Sequence, residues 1–207
     1  MSFQYLFDNA TSIGIDKKPT VAQSITRDRT VRSLARGGAT WRFTVTMPDG
    51  MPYDDWRSEL ASIEALDRTT TATVRLNNSG YTDWFTSYRG DVTPITGWTA
   101  DLGIISNTIT NIDTGTTPTN GDIILKAGDL VQLGASGNTY TVVSDVVHPD
   151  ATATLHRPIT EIGSGRSLTI GPECSFDVVC VNFPSWEIFA RNQLKWNGSF
   201  VFYEVVR

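Results

Sequence analysis

Residues 41–91 constrain this chain more than any other stretch. Trp41, Phe43, Val45 and Met47 alternate with Arg42, Thr44 and Thr46, the period-two pattern of a half-buried strand. Pro48-Asp49-Gly50 ends it. Tyr53, Trp56, Leu60, Ile63 and Leu66 then recur at three- and four-residue steps, one apolar stripe of a helix. Asp54 and Asp55 fall in its first turn, where carboxylates suit the positive dipole end, and Arg57, Glu59, Glu64 and Arg68 lie off the stripe. Residues 70–76 return to alternation, with Ala72, Val74 and Leu76 on one face. Asn77-Asn78-Ser79-Gly80 is a turn, and residues 84–89 read as a further strand that halts at Arg89-Gly90-Asp91. From residue 92 to 125 there is no Lys or Arg, and Thr, Gly, Asn and Ile dominate. The pattern predicts a mainly β fold with one packed helix, built from residues 1–91 and 174–207. A second, smaller β-barrel of residues 92–173 interrupts it.

The remaining segments fill in this plan. Ile13, Ile15 and Pro19 suggest an extended arm or edge strand. Residues 23–34 alternate loosely and are expected to form a long hairpin with the strand at 41–47 over Gly37-Gly38. Within the insert, short strands are expected at 104–112, 123–126, 130–133, 140–147 and 152–156. Gly-rich turns such as Gly134-Ala135-Ser136-Gly137-Asn138 separate them, and Gly163-Ser164-Gly165 and Gly171-Pro172 mark the exit. Cys174, Phe176, Val178 and Cys180 then share one strand face and Asp177, Val179, Val181 and Phe183 the other, which predicts a strand covered on both sides. Asn197-Gly198 carries the signal of a two-residue hairpin. Residues 200–206 form the last strand, apolar except for Glu204.

The formal net charge of −5 argues against general nucleic-acid affinity, because phosphate binding rests on clustered Lys and Arg. No run of about 18 apolar residues exists, so no membrane insertion is expected. The opening residues carry neither the basic nor the apolar region of a secretory signal. Cys174 and Cys180 are six residues apart, roughly 20 Å along a strand. Two buried thiols are therefore expected, not a disulfide.

Candidate chemistry is sparse. His148 and His156 are the two histidines, short of a zinc-ligand set. Asp54, Asp55, Glu59 and Glu64 read as the solvated side of the helix. Arg89-Gly90-Asp91 reads as the hinge where the insert leaves the sheet. Arg27 and Arg29 are expected on one strand face and Arg32 on the other, within an arginine series ending at Arg36 that is suited to ion pairs within or between subunits. Among the tryptophans, Trp41 and Trp56 read as core. Trp84, Trp98, Trp186 and Trp196 are candidates for core, for an interface or for sugar stacking. No residue is assigned as catalytic, cofactor-binding or metal-binding, and no cofactor is expected.

The order of elements resembles the distal tail proteins of long-tailed bacteriophages, the T5-type in particular. In that type an oligosaccharide/oligonucleotide-binding-like barrel is attached to a tail-tube-like β-sandwich or split barrel. The likeness is carried by Trp84-Phe85-Thr86-Ser87-Tyr88-Arg89-Gly90-Asp91 and by Lys126-Ala127-Gly128-Asp129-Leu130-Val131-Gln132-Leu133, followed by Thr139-Tyr140-Thr141-Val142-Val143. The resemblance implies a virion protein assembled in the host cytoplasm. It implies a ring, usually hexameric, that joins the tail tube to the hub or baseplate and lets DNA pass through an axial channel. It also implies an outer barrel free to dock other proteins or host glycans. Two other classes stay open. A carbohydrate-binding module would expose Trp98 or Tyr140, and a cell-wall hydrolase would depend on a carboxylate.

Overall fold

The computed structural model describes residues 3–17, 21–25, 29, 31–35, 39–65, 70–78, 82–103, 105–134 and 137–206. The expectations at Pro19, Arg27, Arg36, Gly37-Gly38, Leu66, Arg68, Ser79-Gly80, Ile104 and Ala135-Ser136 lie outside the described residues. The fold is mainly β. The chain begins with α1 (Gln4–Asp8), β1 (Ser12–Asp16), β2 (Val21–Ile25), β3 (Val31–Ala35), β4 (Arg42–Thr46) and β5 (Met51–Pro52). It continues through α2 (Tyr53–Glu64), β6 (Thr71–Arg75) and α3 (Asp83–Thr86). Then come β7 (Thr99–Leu102), β8 (Thr108–Asp113), β9 (Ile123–Leu125), β10 (Leu130–Leu133), β11 (Thr139–Thr141), β12 (Val146–Val147), β13 (Ala153–Thr154) and β14 (Gly163–Ile170). A short 3-10 turn (Gly171–Glu173) leads to β15 (Ser175–Asn182), β16 (Trp186–Ala190), β17 (Gln193–Trp196) and β18 (Phe200–Glu204).

One lobe is an antiparallel sheet in the order β1-β4-β18-β15-β6. Its inner face presents Phe43, Val45, Val74, Phe176, Val178, Cys180, Phe200 and Phe202, and the Trp56, Leu60 and Ile63 stripe of α2 joins the same buried cluster. The alternation at 41–47 and the helical stripe therefore meet, as their periods require. The helix α1 was not expected. It has only five residues and no side-chain cap, so its sequence carries little signal, and packing must hold it. Phe3 and Phe7 supply that packing, with ring centroids 5.0 and 5.2 Å from Phe202.

Several pairings differ from expectation. The segment expected to pair with β4 instead folds on itself, β2 against β3, with Val21 opposite Ala35 and Ile25 opposite Val31. Arg29 lies in their connection at φ 60°, not on a strand face, and Arg32 lies on β3. The partners of β4 are β1 and β18, because β18 brings Phe200 and Phe202 opposite Val45 and Phe43 on the buried face. Residues 84–89 are not a strand. Thr86 is fully buried and its hydroxyl donates to the carbonyls of Leu76 (3.1 Å) and Asp83 (3.3 Å), which closes the turn of α3. On β15 the face with Phe176 and Val178 is buried, but Val181 is 54% exposed, so the strand is covered on one side. Asn197-Gly198 joins two sheets and makes no hairpin, since β17 pairs with β16 and β5 while β18 pairs with β15 and β4. The hairpin lies one step earlier, at Arg191-Asn192, with Asn192 at φ 57°.

The second lobe is a sheet in the order β11-β10-β14-β7-β8-β13. It curls until its two edge strands meet. The Val143 N–H donates to the Thr154 carbonyl (2.8 Å), the His156 N–H donates to Thr141 (3.0 Å), and Val142 bridges Leu155. Trp98, Tyr140, Val131, Leu133, Ile109 and Leu168 fill the interior. Strands β7 and β14 were not expected. The Gly163-Ser164-Gly165 run read as an exit opens the longest strand of this lobe, with a register shift between Gly163 and Arg166 that accommodates the glycines.

Buried hydrophobic residues form two clusters. One draws on residues 3–76 and 174–202, plus Leu130, and the other on residues 92–170. The chain crosses between them at Arg89-Gly90-Asp91 and at Gly171. The Asp91 carboxylate accepts the Ile123 N–H (2.8 Å) and the Asp91 N–H donates to the Ile123 carbonyl (2.7 Å). A Cβ on Gly90 would sit 2.7 Å from that carbonyl and closer still to the Tyr88 ring, so no side chain fits there. The Arg89-Gly90-Asp91 triplet is thus engaged by its own chain.

Candidate interaction surfaces

The junction of the lobes holds the most highly organised polar group. Arg157, after β13, and Glu204, at the end of β18, are 5% and 7% exposed. They form a two-pronged ion pair, Nη1 to Oε2 at 2.5 Å and Nη2 to Oε1 at 2.6 Å. Glu204 Oε2 also accepts the Trp41 N–H (3.2 Å), and Arg157 donates to the carbonyls of Ala39 (3.3 Å) and Thr139 (3.2 Å). The Trp41 indole donates to the same Thr139 carbonyl at 2.8 Å. The Arg157 guanidinium lies 4.8 Å from the centre of the Tyr140 ring. Sequence reading passed over this clamp, although it left a signal. Glu204 continues the inward alternation of Phe200 and Phe202, and a lone carboxylate on a core-facing position requires a buried partner.

His156 sits beside the clamp, its Nδ1 accepting the Thr141 N–H (3.0 Å) and its ring 5.5 Å from Trp41. Burial lowers its pKa from 6.5 to about 4, assisted by the charges of Arg157 and Lys17. Those two cations face it, and Glu204 is already taken by Arg157. The fold therefore selects neutral His156. Its contribution is complete above pH 6.5 and is lost as the pH falls toward 4. The melting temperature is expected to fall more steeply across that window in the wild type than in His156→Gln. Parallel curves would refute the assignment.

The other sequence candidates are dispersed. His148 is in a turn before Pro149, bonded through its backbone to Asp122 and Gly121. Among the described residues no group of three His, Cys, Asp or Glu is placed to hold a metal ion. Asp54 and Asp55 lie on the exposed first turn of α2, and Glu64 accepts the Trp186 indole N–H at 2.7 Å. Both cysteines are buried and no disulfide joins them, and burial pushes the Cys174 thiol up to about 12. Trp98 and Tyr140 are fully buried, so neither ring is open to stack on a sugar. Trp41, Trp56 and Trp196 are core, whereas Trp84 is 65% exposed.

Among the described residues, two of the sheet edges carry exposed apolar side chains or line an apolar groove. In the sheet β16-β17-β5, β16 is an edge strand. Glu187, Ile188, Phe189 and Ala190 are all exposed, Ile188 at 54% and Phe189 at 51%. Trp186, stacked on Tyr53, anchors its base. The second edge is β1, whose Ile13 and Ile15 line a shallow groove of about 170 Å³ with Thr82, Trp84 and Phe85. Across Trp84 lies a groove of about 180 Å³ that includes Lys17, Ser87, Arg89 and Asp129. Exposed apolar edges of this kind are rare in a chain that works alone, because unpaired N–H and C=O groups there invite another strand. No known family model matches the chain, and no curated protein is similar to it.

Proposed function

We propose that this chain is a structural virion protein. It forms a ring, hexameric by the resemblance, at the distal end of a phage tail, between the tail tube and the hub or baseplate. DNA passes through the ring without being read. The observation that supports this most is β16, an edge strand exposed on both faces that carries Ile188 and Phe189. Such a strand fits assembly, since burying it against a neighbour removes apolar surface from water and satisfies backbone groups at once. The work done is association, with no substrate turned over. The outer barrel closes on its own aromatic residues, Trp98 and Tyr140 included, so the glycan-binding alternative would rest on the exposed Trp84.

Light scattering and negative-stain imaging of the purified protein test the proposal. Rings with a central hole are the expected result. A monomer at every concentration, alone and with the tail proteins that would flank it, would overturn the proposal.

A further inference from the structure

The β16 and β1 edges differ in chemistry, and the differences match. We propose that the β16 edge of one copy adds to the β1 edge of the next, with Phe189 entering the groove of Ile13, Ile15, Trp84 and Phe85. Glu187 then meets Lys17 and Arg89. This contact rests on the ring reading above and specifies its interface.

The Lys17 ammonium donates to Thr141 Oγ1 (2.9 Å) and lies 5.3 Å from the Trp41 ring, and burial lowers its pKa. The Arg89 guanidinium donates to the Trp84 carbonyl at 3.2 Å. Neither forms an ion pair among the described residues. The nearby Asp129 carboxylate accepts the backbone N–H groups of Arg89 (3.2 Å) and Lys126 (2.8 Å) and also feels the Arg89 charge. Two cations flank an exposed indole, and Glu187-Ile188-Phe189 would bring an acidic residue next to apolar ones. Each edge has one strand neighbour among the described residues, β17 for β16 and β4 for β1. Among the described residues, neither edge has a second strand partner.

Position sets the symmetry. Asp16 lies opposite Arg42, at the lobe-junction end of the sheet, and Lys17 follows it. The β16 hairpin leaves from the other end, where Phe200 lies opposite Val45 and β17 meets β5. The two patches are different surfaces of one molecule, so the contact is head-to-tail. Repetition closes into a ring when the rotation per step allows.

Charge reversal tests the pairing without removing apolar surface. Glu187→Lys and Arg89→Glu, with Lys17→Glu as the alternative groove variant, are each expected to weaken association by about tenfold or more. Circular dichroism verifies that each is folded. Mixing the hairpin variant with the groove variant then restores assembly, because an alternating ring places Lys against Glu at one contact and the native pair at the other. If the wild type forms rings and the single variants do so equally well, the β16–β1 contact is wrong and the ring reading stands. Variants that weaken association but are not rescued on mixing overturn the specific pairing. A wild type that never assembles removes the ring reading itself.

Discussion

Replacing Glu204 by Ala is expected to cost about 3–5 kcal/mol of stability. The change strands the Arg157 guanidinium at 5% exposure, with two carbonyls and an aromatic face but no counter-charge. For a chain of this size the melting temperature should drop by on the order of 10 °C. Glu204→Gln separates charge from geometry. Its amide oxygen can still accept the Trp41 N–H, so most of the loss should persist if the stranded cation is the cause. Adding Arg157→Met to Glu204→Ala removes that cation and should recover most of the stability, since an apolar replacement of a buried pair is often neutral. Thermal denaturation of the four proteins checks the scheme. A Glu204→Ala loss below about 1 kcal/mol, the scale of a surface pair, would mean that the clamp does not hold the lobes together.

Trp41→Ala should be comparably severe, about 3–5 kcal/mol. The Trp41 ring is fully buried and touches Phe43, Phe85, Phe176 and His156, with centroids 6.2, 6.2, 5.4 and 5.5 Å away. Its indole N–H also crosses to the other lobe at Thr139. Trp41→Phe keeps most of the apolar volume and forfeits that hydrogen bond. The Thr139 carbonyl retains Arg157 as a donor at 3.2 Å, so the net loss for the bond should be near 1 kcal/mol. Chemical denaturation distinguishes the two. Equal losses for Ala and Phe would mean that the hydrogen bond, not packing, is what Trp41 provides.

Both residues show where sequence reading succeeded and where it stopped. Trp41 announced itself as core because Trp41, Phe43, Val45 and Met47 follow a strict two-residue period, and period alone decides which face of a strand is buried. The α2 stripe was legible for the same reason. The candidate interaction surface was not. Ile188 and Phe189 look like core residues in a list of apolar positions, and only the placement of β16 at a sheet edge exposes them.

Local periodicity settled the mainly β character, the helix at 53–64 and the inward face of β4, because each depends on residues a few positions apart. Strand partners were chosen elsewhere. The 21–35 segment closing on itself, β4 choosing β1 and β18, and residues 84–89 turning instead of extending all reflect contacts far apart along the chain. Alternation says which face is apolar but not whose edge it will meet. The Arg157–Glu204 clamp, 47 residues apart in sequence, is the clearest case. A buried charge declares that it needs a partner, and only the packing of two lobes chooses which one.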